Sequence, residues 1–158
     1  MVVLLPMSAS DYLAYLAEGI PQYAAEKVSA GEWMEHEAPG LAQAVFGHLL
    51  PDGLATVDHH FFTIWDDAES IAVGSLWIAA RERAGRRIAY VYDVGIKSGH
   101  RRKGYASSAF IALEHEVRKL GLAGVELHVF GHNASAQALY AKLGYQPTSM
   151  VMYKPLAD

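Results

Sequence analysis

The chain has 158 residues, 52% hydrophobic and 19% charged, with no cysteine and a formal net charge of −4, which fits one globular domain spanning 1–158. Lack of cysteine excludes a disulfide framework, a thiolate metal site and a cysteine nucleophile, and the net negative charge argues against a nucleic-acid partner. The charge is split unevenly: residues 1–80 hold eleven acids and one base, Lys27, for a net −10, while the remainder holds twelve bases and six acids, net +6. Such asymmetry suggests two differently charged ligands or surfaces.

The apolar start, Val2 to Met7, has no positive flank and is shorter than the roughly 7–15 residues of a signal core, so Val2–Leu5 reads as a first strand. No stretch approaches the roughly 18–20 apolar residues that span a bilayer, and a cytoplasmic protein with no membrane partner is expected. Ser8 is placed to cap a helix carrying Tyr12, Leu13, Tyr15 and Leu16. Gly19 and Pro21 are expected to interrupt it, with a second helix from Pro21 to Ala30 and a third from Leu41 to Leu50, stopped by Pro51-Asp52-Gly53.

His60–Trp65, Ser70–Ala80 and Arg87–Ile96 are rich in β-branched and aromatic residues, with turn signals at Asp66-Asp67 and Gly85, and read as antiparallel strands. From Gly104 to Leu120 the spacing of Ala106, Phe110, Leu113, Val117 and Leu120 predicts a helix that Gly121 ends. A strand over Val125–Phe130, a helix capped by Asn133 and ended by Gly144, and a final strand pair to about Lys154 complete the pattern. One strand-helix-strand crossover among antiparallel strands predicts an α+β fold with a mixed sheet.

Chemistry concentrates where the strand ending Val94-Gly95-Ile96 leads through a basic loop into a helix. Unpaired N–H groups at the helix start and the positive end of its dipole favour an anion there, and Arg101, Arg102 and Lys103 add charge. Gly104 and Ala106 let a pyrophosphate approach the backbone. The loop has neither G-x-x-x-x-G-K-[ST] nor G-x-G-x-x-G, which disfavours nucleotide hydrolysis and dinucleotide binding.

Arg101-Arg102-Lys103-Gly104-Tyr105-Ala106 instead resembles the acyl-CoA loop, [Arg/Gln]-x-x-Gly-x-[Gly/Ala], of the GCN5-related N-acetyltransferase (GNAT) superfamily. His128 to Asn133, followed by Ala136, Tyr140, Leu143, Gly144 and Tyr145, is similar to that family's strand and Asn-capped helix. The resemblance implies a mostly antiparallel mixed sheet of about six to seven strands with a splayed parallel pair, flanked by about four to five helices. It also implies acetyl-CoA as co-substrate, without metal. The pyrophosphate would lie on the amides of Arg102, Lys103, Gly104, Tyr105 and Ala106, beside Arg101. Pantetheine would pair with backbone groups of Val94 and Ile96, flanking Gly95, as an added strand, and Asn133 would bond its arm.

By the same resemblance, Tyr140 is the acid that protonates the departing thiolate, and a backbone N–H near Val94 holds the developing oxyanion. His128 is the candidate base for the amine, since an imidazole near pKa 6.5 suits that work. Asp93 and the pair His59-His60 are rivals, with Asp93 disfavoured because alternation puts it on the opposite strand face from Val94. The spacing of His128 and His132 does not favour a metal site. The acidic first half would border the acceptor, with Glu26, Glu32, Glu35 or Glu37 drawing in a cationic amine and Tyr12, Tyr15, Tyr23 and Trp33 available as walls. Direct N-acetylation of a primary amine by a monomer or homodimer is the reading. A non-catalytic acyl-CoA sensor and a basic-patch interaction domain remain alternatives.

Overall fold

Ser8 accepts a hydrogen bond from the Asp11 N–H at 3.1 Å and starts helix α1, Ala9–Ser29, in the computed structural model, which describes residues 1–157. The other elements follow in the order β1 (Val2–Pro6), α1, α2 (Ala38–Leu49), β2 (His59–Asp66), β3 (Ile71–Arg83), β4 (Arg86–Ile96), α3 (Tyr105–Lys119), β5 (Val125–Leu127) and α4 (Ala134–Lys142). Among the described residues the strands form one sheet in the order β1-β2-β3-β4-β5, antiparallel except for the parallel pair β4 and β5. The α+β class read from the sequence is the class observed. No helix among the described residues is long and apolar enough to cross a membrane.

Alternation along the strands divides the core into two layers. Phe62, Ile64, Leu76, Ile78, Ala89 and Val91 pack with Ala109, Phe110, Leu113 and Val117 of α3. Phe61 and Trp77 pack instead with Tyr12 of α1 and Phe46 of α2. The β3–β4 hairpin turns through Ala84 and Gly85, both with positive φ (50° and 77°), the backbone that a two-residue turn needs to match strand twist.

Three expectations are corrected. Gly19 and Pro21 do not interrupt α1, which runs unbroken to Ser29. Pro21 and Ala17 both lie on the exposed side of the helix, so water can satisfy the Ala17 carbonyl that proline leaves without a donor. The strand over 125–130 ends at Leu127. The final strand pair is absent, since residues 146–157 are irregular, which reduces the sheet from six or seven strands to five.

Gly74 has a steric requirement that alternation alone does not reveal. A Cβ there would lie 2.2 Å from the Gly95 carbonyl oxygen on β4. Gly74→Ala therefore has to push β3 away from the end of β4. We expect a loss of about 1–3 kcal/mol in urea unfolding, the usual cost of overpacking a tight contact.

Candidate active site

The β4–β5 ladder is short. It pairs Ala89, Tyr90 and Val91 with Val125, Glu126 and Leu127 and then stops. Beyond it, Tyr92 to Ile96 have no strand partner on the β5 side, so an open edge runs from mid-β4 to the loop before α3. β4 also carries a bulge: Val91 pairs with Ile78 and Asp93 with Trp77, leaving Tyr92 as the extra residue. The inserted residue changes the strand's alternation. Val91, Val94 and Ile96 contribute to the α3 layer, whereas Tyr92 joins the layer of α1 and α2 and Asp93 bonds to α1.

At the end of this edge, Arg102 and Gly104 take positive φ (61° and 81°), and Gly104 serves as the N-cap of α3 without a side-chain hydrogen bond. The amides of the first turn, Tyr105 to Ser107, therefore lack a capping side chain. They border a cleft of about 310 Å³ shared by Ile96, His100, Arg101, Arg102, Gly104 and Ala106, closed on the far side by Ser135 and Leu139 of α4. The Arg101 Nε donates to the Ile96 carbonyl at 3.1 Å and ties the loop to the strand. Lys103 is exposed beside it. The first turn of α3 is further anchored by the Tyr105 hydroxyl, which donates to Oδ2 of the buried Asp66 at 2.5 Å, while Asp66 Oδ1 accepts from the N–H groups of Ala68 and Glu69. This anchor went unread in the sequence because its partners are 39 residues apart.

Asn133 caps α4: its Oδ1 accepts from the Ala136 N–H at 3.2 Å, leaving the amide nitrogen free for a second partner. Seven residues on, Tyr140 is half-buried against Phe110 and Tyr145, with ring centroids 5.4 and 5.8 Å away. Burial raises the Tyr140 pKa above its ordinary 10, and the charges of Asp93 and Glu26 raise it further. Asp93 accepts from the Tyr15 hydroxyl at 2.7 Å. Its carboxyl is pushed above the usual carboxylate range, chiefly by burial; the nearby Glu26 acts in the same direction and the Tyr15 hydrogen bond opposes it. Tyr15 and Glu26 are eleven residues apart on α1, close to three helical turns, and so present one face.

Asp93 does lie on the opposite face of β4 from Val94, yet that is the face where Tyr15 and Glu26 meet it. The objection from alternation therefore loses its force. His128 lies just past β5, exposed, with its ring edge-on to Phe130 at 4.9 Å. His59 accepts from the Trp77 indole N–H at 2.9 Å, and burial lowers its pKa, so it is committed to the core.

Of the four acids expected near an acceptor, Glu26 alone acts on both Asp93 and Tyr140. Glu32 is paired with Lys27 at 2.5 Å, Glu37 is exposed before α2, and Glu35 borders a separate cleft of about 710 Å³ between α1 and α2. That cleft is lined from α1 by Leu13, Leu16, Ile20, Ala24 and Val28, on the helix side opposite Tyr15 and Glu26. Tyr12 and Tyr23 are core residues, packed on Phe61 and Phe46 respectively.

An uncapped helix start beside an open strand edge, with a tyrosine and a half-buried carboxyl nearby, offers donors to an anion and a free edge to an extended chain. The profile of the acetyltransferase (GNAT) family matches residues 27–145. YycN of Bacillus subtilis, described as an uncharacterized N-acetyltransferase, is 40% identical over 155 residues, 98% of this chain and 99% of its own. YdgE of the same organism, described in the same words, is 31% identical over 150 residues, 95% of each chain. The crystal structure of YycN superimposes with a TM-score of 0.94 at 39% identity and full coverage of both chains. An acetyltransferase structure from Pyrococcus furiosus shares the fold, with a TM-score of 0.70 at 21% identity, covering 99% of this chain and 100% of its own. The chain belongs to the GNAT family and is an N-acetyltransferase.

Proposed function

We propose that this enzyme, as one catalytic domain over residues 1–158, transfers an acetyl group from acetyl-CoA directly to a primary amine, in the cytoplasm, with Tyr140 and Asp93 moving the protons. The supporting observation is the open edge of β4, Tyr92 to Ile96, which runs to the uncapped start of α3 and carries Asp93, bonded to Tyr15, with Tyr140 half-buried on α4. The described residues suit acetyl-CoA. The uncapped amides of Tyr105 to Ser107, with Arg101 and Arg102 alongside, offer donors and positive charge to a pyrophosphate. Nothing lies within 4 Å of a Cβ built on Gly104 or Gly95, which leaves room at the loop and at the strand edge. The edge from Tyr92 to Ile96, which has no strand partner on the β5 side, suits an added strand-like chain at Val94 and Ile96 once the Ile96 carbonyl gives up its bond from Arg101, and the Asn133 amide nitrogen can donate to that chain.

When bound, acetyl-CoA supplies the activated acyl group. The raised Asp93 carboxyl is a stronger base than an ordinary aspartate and accepts the proton of the attacking amine. Tyr140, kept protonated past pH 10, gives its hydroxyl proton to the leaving sulfur. An N–H near Val94 is the candidate donor to the oxyanion, the Val94 N–H itself being bonded to the Asp93 carboxyl. His128, exposed just past β5, remains the second candidate for the base. Glu26 favours a cationic acceptor, since its carboxylate adds negative charge beside Asp93.

Two measurements test this reading. Acetyl-CoA at about 100 times its Kd should stabilise the fold by about 2.7 kcal/mol, seen as a rise in Tm. Thiol release across a panel of amines should favour polycationic acceptors over neutral or anionic ones, with Glu26→Gln reducing that preference through KM. Unchanged Tm would overturn the acetyl-CoA assignment, and indifference to acceptor charge would overturn the role of Glu26.

A further inference from the structure

The first intrahelical bond of α3 runs from the Ser108 N–H to the Gly104 carbonyl at 3.1 Å, so the N–H groups of Tyr105, Ala106 and Ser107 have no partner within the helix. With no side-chain cap, nothing on the loop side fixes the direction of these three donors. The Tyr105 side chain supplies a fixed point from the other side. Its ring packs on the core beneath α3, and its hydroxyl reaches the last residue of β2, Asp66, donating to Oδ2 at 2.5 Å. Asp66 is itself held firmly. Its backbone is in register with Val2 on β1 and Ile71 on β3, and its Oδ1 accepts from the N–H groups of Ala68 and Glu69 at 3.0 and 3.3 Å. The Tyr105 ring also stands edge-on to His100, 6.2 Å between centroids, and both residues border the cleft at the start of α3.

Asp66 is the one buried charged side chain among the described residues, 6% exposed. Its hydrogen bonds come from neutral donors, one hydroxyl and two amides, and the Tyr105 bond holds the carboxyl below the usual carboxylate range, so it is ionised at neutral pH. Burying a carboxylate is a costly way to stabilise a fold, since apolar side chains of similar volume often do as well or better. A charge-assisted hydrogen bond does something that apolar contact does not: it fixes length and direction.

We propose that Tyr105 and Asp66 are positioning residues for the pyrophosphate of acetyl-CoA, their bond locking the first turn of α3 to the sheet so that the three free amides converge on one anion. The inference rests on the placement of acetyl-CoA at this cleft. Tyr105 then works at both ends: its backbone N–H is one of the three donors, and its side chain sets where all three stand. Cutting the bond leaves the donors in place but unordered, and ordering them on binding lowers the affinity for the anion.

Steady-state kinetics with two acyl donors isolate this role, because acetyl-CoA carries the pyrophosphate and S-acetylpantetheine does not. Tyr105→Phe should raise the KM for acetyl-CoA about tenfold, the worth of one hydrogen bond to a charged group, with kcat unchanged. Its kcat/KM for S-acetylpantetheine should equal that of the native enzyme. Asp66→Asn keeps an acceptor for the two amides and weakens the Tyr105 bond by removing the charge, so it should show the same split between donors at smaller amplitude. In either variant, equal losses on both donors, or a lower Tm with the acetyl-CoA KM unchanged, would show that the bond serves only the fold and would overturn the proposal. A native enzyme that uses the two donors equally well would instead overturn the placement of the pyrophosphate at α3, and the proposal with it.

Discussion

Replacing Tyr140 with phenylalanine is expected to lower the rate of acetyl transfer by about 10²–10⁴-fold, the range general acid catalysis contributes, with little change in the Kd for acetyl-CoA. The substitution keeps the ring that packs on Phe110 and Tyr145 and removes only the hydroxyl. Burial and the charges of Asp93 and Glu26 hold that proton on the oxygen above the ordinary pKa of 10, so Tyr140 is fully protonated at neutral pH. Stopped-flow transfer rates and calorimetric titration with CoA separate the two effects. A normal rate in Tyr140→Phe would remove its role as the acid.

Asp93→Asn should have an equally large effect on rate and an opposite effect on stability. The Tyr15 hydroxyl, which donates to Asp93 at 2.7 Å, can still donate to the asparagine oxygen, so the packing of α1 on β4 is retained while the base is lost. The folded-state pKa of Asp93 is raised, chiefly by burial, so the folded chain holds this proton more tightly than the unfolded chain. Its favourable contribution is fully present below about pH 3.9, the ordinary aspartate value, and is lost as pH rises through the folded-state pKa. Above that window the native protein carries a half-buried carboxylate, and Asp93→Asn should have the higher Tm; at lower pH the two should converge. A lower Tm in the native protein together with a higher rate than Asp93→Asn is the result expected of a tuned catalytic group.

The pH profile discriminates between Asp93 and His128. An acidic limb due to Asp93 lies above the usual carboxylate range and stays in place as the acceptor amine is varied, whereas a limb due to the amine moves with the amine's own pKa. Asp93→Asn should abolish the fixed limb and His128→Ala should leave it intact. The reverse pattern would assign the base to His128.

Local sequence signals were sufficient for the elements that need only neighbours. Ser8 and Asn133 cap helices because their side chains reach an N–H three residues on, and Gly85 turns a hairpin because glycine takes positive φ without steric cost. The uncapped start of α3 after the Arg101–Gly104 loop was legible because it depends on consecutive residues and needs no distant partner. Pro21 shows the converse: whether a proline breaks a helix depends on which side of the helix is wet, and packing decides that. The pairing of Tyr105 with Asp66, the closeness of Gly74 to Gly95 and the convergence of Tyr15, Glu26, Asp93 and Tyr140 join residues distant in the chain. No periodicity encodes them.

The sequence by itself determined the class, the basic loop before α3 and the halves of opposite charge, because each depends on short-range pattern or composition. The tertiary structure alone decided where those charges act. It narrowed an acidic half of net −10 to Glu26 as the acid coupled to both Asp93 and Tyr140, and a one-residue bulge at Tyr92 brought Asp93 to the face that α1 covers. A bulge depends on how two strands pair, and electrostatic coupling depends on distance through space, so neither is written in the order of residues along one strand.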